Sequence, residues 1–289
     1  TSCMAAIASA WRTLQAFRSG RTCQFGFPYV DTLKIQQRFP GATHDFFPVG
    51  SSDDLKTLEA QCGTQPPTAV ICEAPTNPLL VTPDLRRLRE LADRHDFLLV
   101  IDDTLTACGN LATTPLADIA VTSLTKYFSG YGNVLAGSLV VNPESRHAQT
   151  LRKLLDTDFE ETLSDVDAEV LANNSRDVVQ RVAKINSNAV ALAEMLRSHH
   201  SVESVYYPTA EDRNYESIRT SGGGYGGLLS IVLRDAANTT PAFFDALEVC
   251  KGPNLGTNFT LCCPYTILAH YDELDFVESC GVSCWLLRI

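Results

Sequence analysis

The protein has 289 residues, 45% of them hydrophobic and 20% charged, and this composition is typical of globular proteins with a full core. Its 23 Lys and Arg against 34 Asp and Glu give a net charge of −11, so no global field attracts nucleic acid or an anionic membrane. The longest apolar run, 97–101, is far shorter than the ~20 residues of a membrane span. The length predicts two domains, at roughly one per 150 residues. The charge and the short apolar runs argue against nucleic-acid and membrane partners.

Both ends of the sequence have the character of internal segments. It opens at Thr1 without a Met and enters an apolar helix-like stretch at once, and it stops at Ile289 inside a strand-like run. The start of the sequence shows no charged region followed by an apolar core, the pattern of a secretory signal. We therefore expect a chain that is truncated at both ends.

The ten cysteines form no C-x2-C pair, and no His lies at zinc-ligand spacing from them, which argues against a metal site. Several lie in apolar strand-like runs, where a free Cys behaves as a small hydrophobe. Disulfide frameworks belong to shorter secreted chains. The cysteines therefore indicate reduced thiols in a cytoplasmic protein.

Residues 69–141 alternate the signals of strands and helices. Strand, helix and strand follow within about 35 residues, the spacing of a βαβ unit in a parallel sheet. The intervening helix is predicted to start with Thr82 as its N-cap and Pro83 at its first position. The predicted strands are 69–73, 97–101, 118–122 and 138–141.

The second half of the chain has a different texture. The periodicity over 164–199 is helical and contains no Pro, which predicts one long helix. Short strands and one helix follow, as in a smaller α+β domain, and we expect domains at 1–184 and 185–289. The elements predicted in this part are strands 202–206, 228–233 and 286–289 and a helix over 241–250.

Polar side chains follow three of the predicted strands. In an open α/β sheet, ligands bind at the carboxyl ends of the strands, so these side chains are expected on one rim. Each alone is compatible with a helix cap, a turn or a solvated lysine, and only their joint arrangement indicates a site. The set is Glu73, Thr76, Asn77, Asp102, Asp103, Thr104, Ser123, Thr125 and Lys126.

The segment Ser123-Leu124-Thr125-Lys126 suits an anionic ligand with a carbonyl group. Two hydroxyls two residues apart can both turn toward an anionic oxygen, while the adjacent amine reaches the carbonyl. Burial near a second cation lowers the pKa of a lysine and makes it a nucleophile toward aldehydes. The alternative interpretation is a polar loop followed by a solvated lysine.

The glycine-dense stretch 222–227 is a candidate nucleotide loop. A phosphate-binding glycine loop follows a strand and opens a helix, whereas these glycines precede a strand. A tight connection between strands is therefore the better interpretation. The sequence also lacks HExxH and Gly-x-Ser-x-Gly motifs.

Four short motifs follow one another within about 55 residues. They are Glu-Ala-Pro-Thr-Asn-Pro at 73–78, Ile-Asp-Asp-Thr at 101–104, Ala-Asp-Ile-Ala at 117–120 and Ser-Leu-Thr-Lys-Tyr at 123–127. In order and spacing they resemble the Cys/Met-metabolism family, the cystathionine γ-synthase-like enzymes that use pyridoxal 5′-phosphate (PLP). The resemblance implies the aspartate-aminotransferase-like fold (fold type I), with a mainly parallel large-domain sheet. Segments similar to the fungal branch are 25–29, 256–260 and 269–271.

The resemblance implies a role for each matching residue. Lys126 would bond to the PLP aldehyde and move protons between the substrate Cα and C4′, and Asp102 would keep the pyridine nitrogen protonated. Arg288 would bind the substrate α-carboxylate bidentately. The other implied cofactor contacts are Ser123, Thr125 and the backbone amides of Cys3 and Met4 at the phosphate, Asn77 at the ring hydroxyl, and Thr104.

Three residues depart from the family pattern. Cys3 stands where the family has a glycine of the phosphate loop. Asn254 stands where the family has the serine of a Ser-Leu-Gly motif, a position that the resemblance links to binding of the substrate carboxylate. Phe25 matches the tyrosine that stacks on PLP, so the phenol is lost there and Tyr29 is a possible substitute proton carrier. In the family, a Tyr/Arg pair contacts the PLP phosphate of the neighbouring subunit, and the resemblance places this pair before residue 1.

The implied reaction is γ-substitution on an activated homoserine ester, with a thiol such as cysteine, or a carbon or nitrogen nucleophile, as the second reactant. A β- or γ-lyase with the same cofactor is one alternative, against which the missing phenol at Phe25 argues. A non-catalytic relative of the family is the other. The family's shared active sites imply a homodimer or homotetramer that binds an amino-acid substrate.

Overall fold

The computed structural model describes residues 2–39 and 43–289, whose strands form two sheets. The first sheet contains β1 (Thr22–Phe25), β2 (His44–Phe47), β3 (Ala69–Glu73), β4 (Leu98–Asp102), β5 (Ile119–Thr122) and β6 (Ser138–Val141), in the order β2-β1-β3-β4-β5-β6. The second contains β7 (Val202–Tyr206), β8 (Ser230–Leu233), β9 (Cys250–Lys251), β10 (Leu261–Pro264) and β11 (Leu287–Arg288), in the order β7-β8-β11-β10-β9.

The first sheet is mainly parallel, as predicted. All its neighbouring strands run parallel except β5 and β6, which pair antiparallel. In the register of β3 and β4, Glu73 lies opposite Asp102 at the carboxyl end of both strands. The sheet therefore brings two acidic side chains to one edge.

Eleven α-helices of the described residues accompany the sheets, and those of the first half cover both faces of the first sheet. They are α1 (Cys3–Phe17), α2 (Val30–Arg38), α3 (Ser52–Cys62), α4 (Leu85–His95), α5 (Ala148–Asp158), α6 (Asp165–Asn174), α7 (Val178–Ser198), α8 (Arg213–Ile218), α9 (Ala236–Ala246), α10 (Tyr265–His270) and α11 (Leu274–Ser279).

The core lies on the two faces of the first sheet, and β4 contributes to both. Its side chains point alternately up and down, as in any strand. Leu99 and Ile101 pack on the face covered by α3 and α4, whereas Leu98 and Val100 pack on the face covered by α1 and α5. This double coverage explains why the strand sequence is apolar throughout.

The start of α4 differs from the prediction. The helix begins at Leu85, and the side chain of Asp84 accepts a hydrogen bond from the backbone N–H of Arg87, which caps the helix. The hydroxyl of Thr82 is buried and has no hydrogen-bond partner. The predicted Thr82 cap is therefore wrong, because the carboxylate two residues later is a competing N-cap of equal quality.

Two helical predictions in the second half also need correction. The long helix predicted over 164–199 is divided into α6 and α7 by a 3₁₀ turn at Ser175–Asp177. The helix predicted to start at Pro241 starts five residues earlier, with Pro241 inside α9, and ends at Ala246. The proposed domain boundary between 184 and 185 falls within α7 and stays a prediction.

No helix in the described part of the chain has the length and apolarity that crossing a membrane requires. All ten cysteines are free. Among residues 2–39 and 43–289, no group of three or more His, Cys, Asp and Glu side chains is arranged to hold a metal ion.

Candidate active site

A cavity of about 200 Å³ opens at the carboxyl ends of β3, β4 and β5. It collects most of the predicted site residues, although they come from segments far apart in the sequence. The predicted residues that do not line it are Thr76 and Asp103 of the strand-end set, and Phe25, Asn254 and Arg288. The lining residues are Ser2, Cys3, Met4, Tyr29, Glu73, Pro75, Asn77, Asp102, Thr104, Leu105, Ser123, Thr125, Lys126, Leu135 and Leu255.

The amine of Lys126 is prepared for nucleophilic chemistry. Burial, and next the positive charge of Arg288, lower the pKa of Lys126 to about 8. Its Nζ donates a hydrogen bond to the side-chain oxygen of Asn254, which fixes the direction of the amine. A substantial fraction of the amine is therefore neutral near pH 8, and only a neutral amine attacks an aldehyde.

Asp102 and Glu73 form a buried carboxyl pair in the same cavity. Burial raises the pKa of Asp102 to about 6, although the backbone N–H of Thr104 donates to its Oδ1 at 3.0 Å. Burial and the charge of Asp102 raise the pKa of Glu73 well above its usual range. A cation placed beside Asp102 would favour the ionised carboxylate, and a protonated ring nitrogen is such a cation.

The start of α1 supplies donors for an anion. Ser2 is the N-cap, and its side chain accepts a hydrogen bond from the N–H of Ala5 at 3.2 Å. Cys3 and Met4 are the first two residues of the helix, where backbone N–H groups have no intrahelical acceptor. Both residues line the cavity, so the positive end of this 15-residue helix faces it.

The hydroxyls predicted to contact the anion differ in their availability. Thr125 Oγ1 donates to the carbonyl oxygen of Ala136 at 3.2 Å and accepts from its N–H at 2.9 Å, so its proton is already engaged. Ser123 hydrogen-bonds the thiol of Cys3, and its backbone N–H donates to Thr104 Oγ1 at 2.8 Å. Ser123 can therefore exchange its weak thiol partner for an anionic oxygen with less rearrangement than Thr125.

The aromatic wall of the cavity is Tyr29 rather than Phe25. Phe25 is 1% exposed, packs 5.9 Å from Phe47 between ring centroids and does not line the cavity. The structure does not bring Phe25 to the cavity surface, and its stacking on the cofactor stays a prediction. After Phe25 the chain turns at Gly26, whose φ is +82°, and delivers Tyr29 to the cavity at the start of α2.

Arg288 and Asn254 lie behind Lys126 and line a second cavity of about 170 Å³. The Arg288 guanidinium donates to Asn77 Oδ1 at 3.2 Å and to the carbonyl oxygens of Pro253 and Asn254. These partners are neutral, and the described residues place no carboxylate within ion-pair distance of Arg288. Its positive charge is thus available to an anionic ligand, while Asn254 links it to Lys126.

Six lining residues were not assigned a role from the sequence: Ser2, Glu73, Pro75, Leu105, Leu135 and Leu255. Glu73 was recognised only as a polar residue at a strand end, and Leu135 carried no signal at all. The position of Glu73, directly after a buried strand, was the signal that could have identified it. Leu135 lines the cavity and is 69% exposed, so it lies at the mouth.

The cavity offers three groups at the carboxyl edge of a parallel sheet: donors for an anion, an amine of lowered pKa and a buried carboxylate. These groups define an α/β protein that can hold an anionic aldehyde with a basic ring nitrogen. PLP has all three features, so the residues present fit it.

Comparisons with known proteins agree with this fit. The family described as Cys/Met metabolism PLP-dependent enzyme matches residues 30–272. The chain is 44% identical to a cystathionine γ-synthase of Neurospora crassa, over 99% of this chain and 47% of that protein. It is 43% identical to a cystathionine γ-synthase-like enzyme of Amanita muscaria, over 99% of this chain and 52% of that protein. The chain thus spans about half the length of the curated relatives it matches.

The structure resembles that of cystathionine γ-synthase from Xanthomonas oryzae in complex with cystathionine, with a TM-score of 0.82 and 24% identity over 97% of this chain and 74% of that one. This likeness establishes the fold. The chain belongs to the Cys/Met metabolism PLP-dependent enzyme family, and its cofactor is PLP.

Proposed function

We propose that the protein catalyses γ-substitution on an activated homoserine ester. The observation that carries the proposal is the presence of Lys126 and Asp102 in one cavity, where a single pyridine ring can meet both. The names of the relatives from Neurospora crassa and Amanita muscaria support the same reaction class. The incoming nucleophile is a thiol such as cysteine, or a carbon or nitrogen nucleophile.

Bound PLP supplies a ring that withdraws electrons from the substrate Cα. Lys126 would hold the aldehyde end of the cofactor, and its amine, when neutral, would accept the proton of the substrate Cα. Asp102 keeps the proton on the ring nitrogen. Asn254 orients the lysine amine through the hydrogen bond that joins them.

Other residues bind the two ends of the reactants. The amides of Cys3 and Met4, with Ser123 and Thr125, bind the phosphate end of the cofactor, and Asn77 its ring hydroxyl. Thr104 is a further cofactor contact. Arg288 binds the substrate α-carboxylate. Burial raises the pKa of Tyr29 to about 12, so its phenol keeps its proton and acts as a donor at the cavity mouth.

The test uses the whole protein with O-acetylhomoserine and a panel of thiol, amine and carbon nucleophiles. We expect an absorption band at about 420 nm, typical of PLP bonded to a lysine, and a substituted product. Lys126→Ala should lose the band and the activity, while Lys153→Ala, a change of an exposed helical lysine, should keep both. Keto acid and ammonia as the sole products would instead establish the lyase, and bound PLP without turnover a non-catalytic relative.

We also propose that the protein is a homodimer or homotetramer in the cytoplasm, and that its two domains meet near residues 184 and 185. The exposed apolar side chain of Leu135 at the cavity mouth supports coverage by a second subunit. The free cysteines are those of a reducing compartment. Sedimentation velocity should give twice or four times the mass of one chain.

A further inference from the structure

Glu73 joins two separate segments of the cavity wall. One carboxylate oxygen accepts the backbone N–H of Tyr29, in the loop before α2, and the other accepts the backbone N–H of Asn77, in the loop after β3, at 3.1 Å. Tyr29 and Asn77 are 48 residues apart in the sequence, and both line the cofactor cavity. The two loops are therefore connected through one side chain.

Burying the carboxyl group of Glu73 is costly, and no ion pair offsets this cost. Glu73 is 5% exposed, and no Lys, Arg or His of the described residues lies within ion-pair distance of it. Its neighbour across the sheet is another acid, Asp102. Two backbone donors, one for each oxygen, are the interactions that offset the cost of burial.

We propose that Glu73 is a positioning residue that fixes Tyr29 and Asn77 relative to each other, and thereby sets the orientation of the cofactor ring between them. The inference rests on the assignment of this cavity to PLP. It goes beyond the roles of the residues that contact the cofactor, because Glu73 acts on the ring through Tyr29 and Asn77.

Glu73→Gln tests the clamp with almost no change in volume. Only one oxygen remains, so the new amide NH₂ must face either the Tyr29 or the Asn77 N–H, and two donors repel each other. In the protein without PLP, we expect hydrogen exchange of one or both loop peptides, 26–33 and 74–80, to accelerate at least tenfold. The exchange of β4, at 98–102, should stay unchanged.

Asp118→Asn is the matched control. Asp118 is a buried carboxylate of the same sheet that accepts the N–H of Leu99 at 2.8 Å and pairs with Arg89, outside the cofactor cavity. With PLP bound, Glu73→Gln should reduce the circular dichroism of the cofactor band at least twofold at unchanged absorbance, because ring orientation sets the dichroism. Asp118→Asn should lower the unfolding temperature and leave the dichroism intact.

Glu73→Asp gives a second reading if the glutamine variant fails to fold, since the shortened acid keeps the charge but cannot span both loops. Exchange at wild-type rates in both loops would overturn the proposal. So would equal losses of dichroism in the Glu73 and Asp118 variants, which would indicate a general effect on stability. The exchange measurement needs no cofactor. If the protein binds no PLP, the proposed function is refuted, but hydrogen exchange still tests whether Glu73 holds the two loops together.

Discussion

At the scale of the residue, the proposed chemistry depends on one amine in a place where charge is costly. The pKa of Lys126 falls to about 8 mainly because the side chain is buried, and the charge of Arg288 adds to the effect. Asn254 contributes a neutral oxygen rather than a carboxylate, so it orients the amine without restoring its charge. An ordinary surface lysine is neither buried nor close to a second cation, so neither effect lowers its pKa.

This arrangement predicts the pH dependence of PLP binding to the protein without cofactor. The neutral amine is the reactive form, so the rate of formation of the 420 nm band should rise with pH through a midpoint of about 8 and then level off. A lysine of unperturbed pKa would instead give a rate that keeps rising toward pH 10.5. Stopped-flow absorbance at a series of pH values measures the midpoint.

Asn254→Asp should move this midpoint upward, because a carboxylate beside the amine favours the ammonium form. Asn188→Asp is the control, since Asn188 lines the second cavity with Asn254 but makes no hydrogen bond to Lys126. An unchanged midpoint in Asn254→Asp would show that the two side chains do not meet in solution.

The residues that the sequence identified well are those fixed by the ends of strands. Asn77, Asp102, Ser123 and Lys126 follow buried strands, and a parallel sheet must bring such positions together at one edge. Phe25, at the end of β1, packs in the core and does not line the cavity, and the turn that follows at Gly26 brings Tyr29 there instead. Sequence spacing does not determine that turn.

At the scale of the element, the loop after Lys126 is held by a helix from further along the chain. Arg181, on α7, donates to the carbonyl oxygens of Tyr127, Phe128 and Ser129 at 3.0–3.2 Å. These carbonyls belong to the turn that ends at Gly130, so α7 fixes the backbone next to the lysine. The sequence could not predict this contact, because its partners are about 50 residues apart and one of them is backbone.

Gly130 tests how tightly this turn is packed. Its φ is +77°, and an added Cβ would lie 2.5 Å from the Nε of Arg181, so Gly130→Ala must both strain the backbone and displace the guanidinium. We expect a loss of more than about 2 kcal/mol in the free energy of unfolding, and weaker PLP binding. Urea unfolding and a PLP titration by absorbance measure the two effects.

Gly222→Ala separates the strain from the clash. Gly222 has a φ of +85°, but no atom lies within 4 Å of the added Cβ, so this variant should lose only about 1–2 kcal/mol and keep its PLP affinity. Equal losses in the two variants would mean that Arg181 moves away at no cost.

Local signals and their competitors explain the errors in the element boundaries. Thr82 and Asp84 are both good N-caps, and propensity cannot rank two caps that lie two residues apart. Pro241 fits a first helical position, yet Thr239 bonds the carbonyl oxygens of Arg234 and Asp235 and extends the helix upstream. β3 and β4 were predicted to within one residue because their apolar runs are buried on both faces, which leaves little freedom in where they start. The strands β1, β2, β9 and β10 were not predicted.

At the scale of the whole molecule, the cofactor cavity is lined by segments that lie far apart in the chain. Its wall includes the start of α1, the ends of β3, β4 and β5, and Leu255 from the segment between β9 and β10. The first sheet and the second sheet each pack their own apolar clusters. A ligand in this cavity contacts segments from both halves of the chain, and so stabilises their folded arrangement.

This predicts a large effect of PLP on thermal unfolding. A ligand at a hundred times its Kd stabilises the folded state by about 2.7 kcal/mol. At roughly 2–4 °C for each kcal/mol in a protein of this size, the unfolding temperature should rise by about 5–10 °C. Differential scanning fluorimetry of the whole protein with and without PLP measures the shift.

Two comparisons locate the source of this stabilisation. Pyridoxine 5′-phosphate has the phosphate and the ring but no aldehyde, so it should raise the unfolding temperature less than PLP in the wild-type protein. In Lys126→Ala the two compounds should act alike, because neither can bond to the protein and both retain the phosphate contacts at α1 and the ring contact at Asp102. A PLP shift as large in Lys126→Ala as in the wild type would show that the amine contributes nothing to holding the cofactor, and that the cavity recognises only an anionic ring.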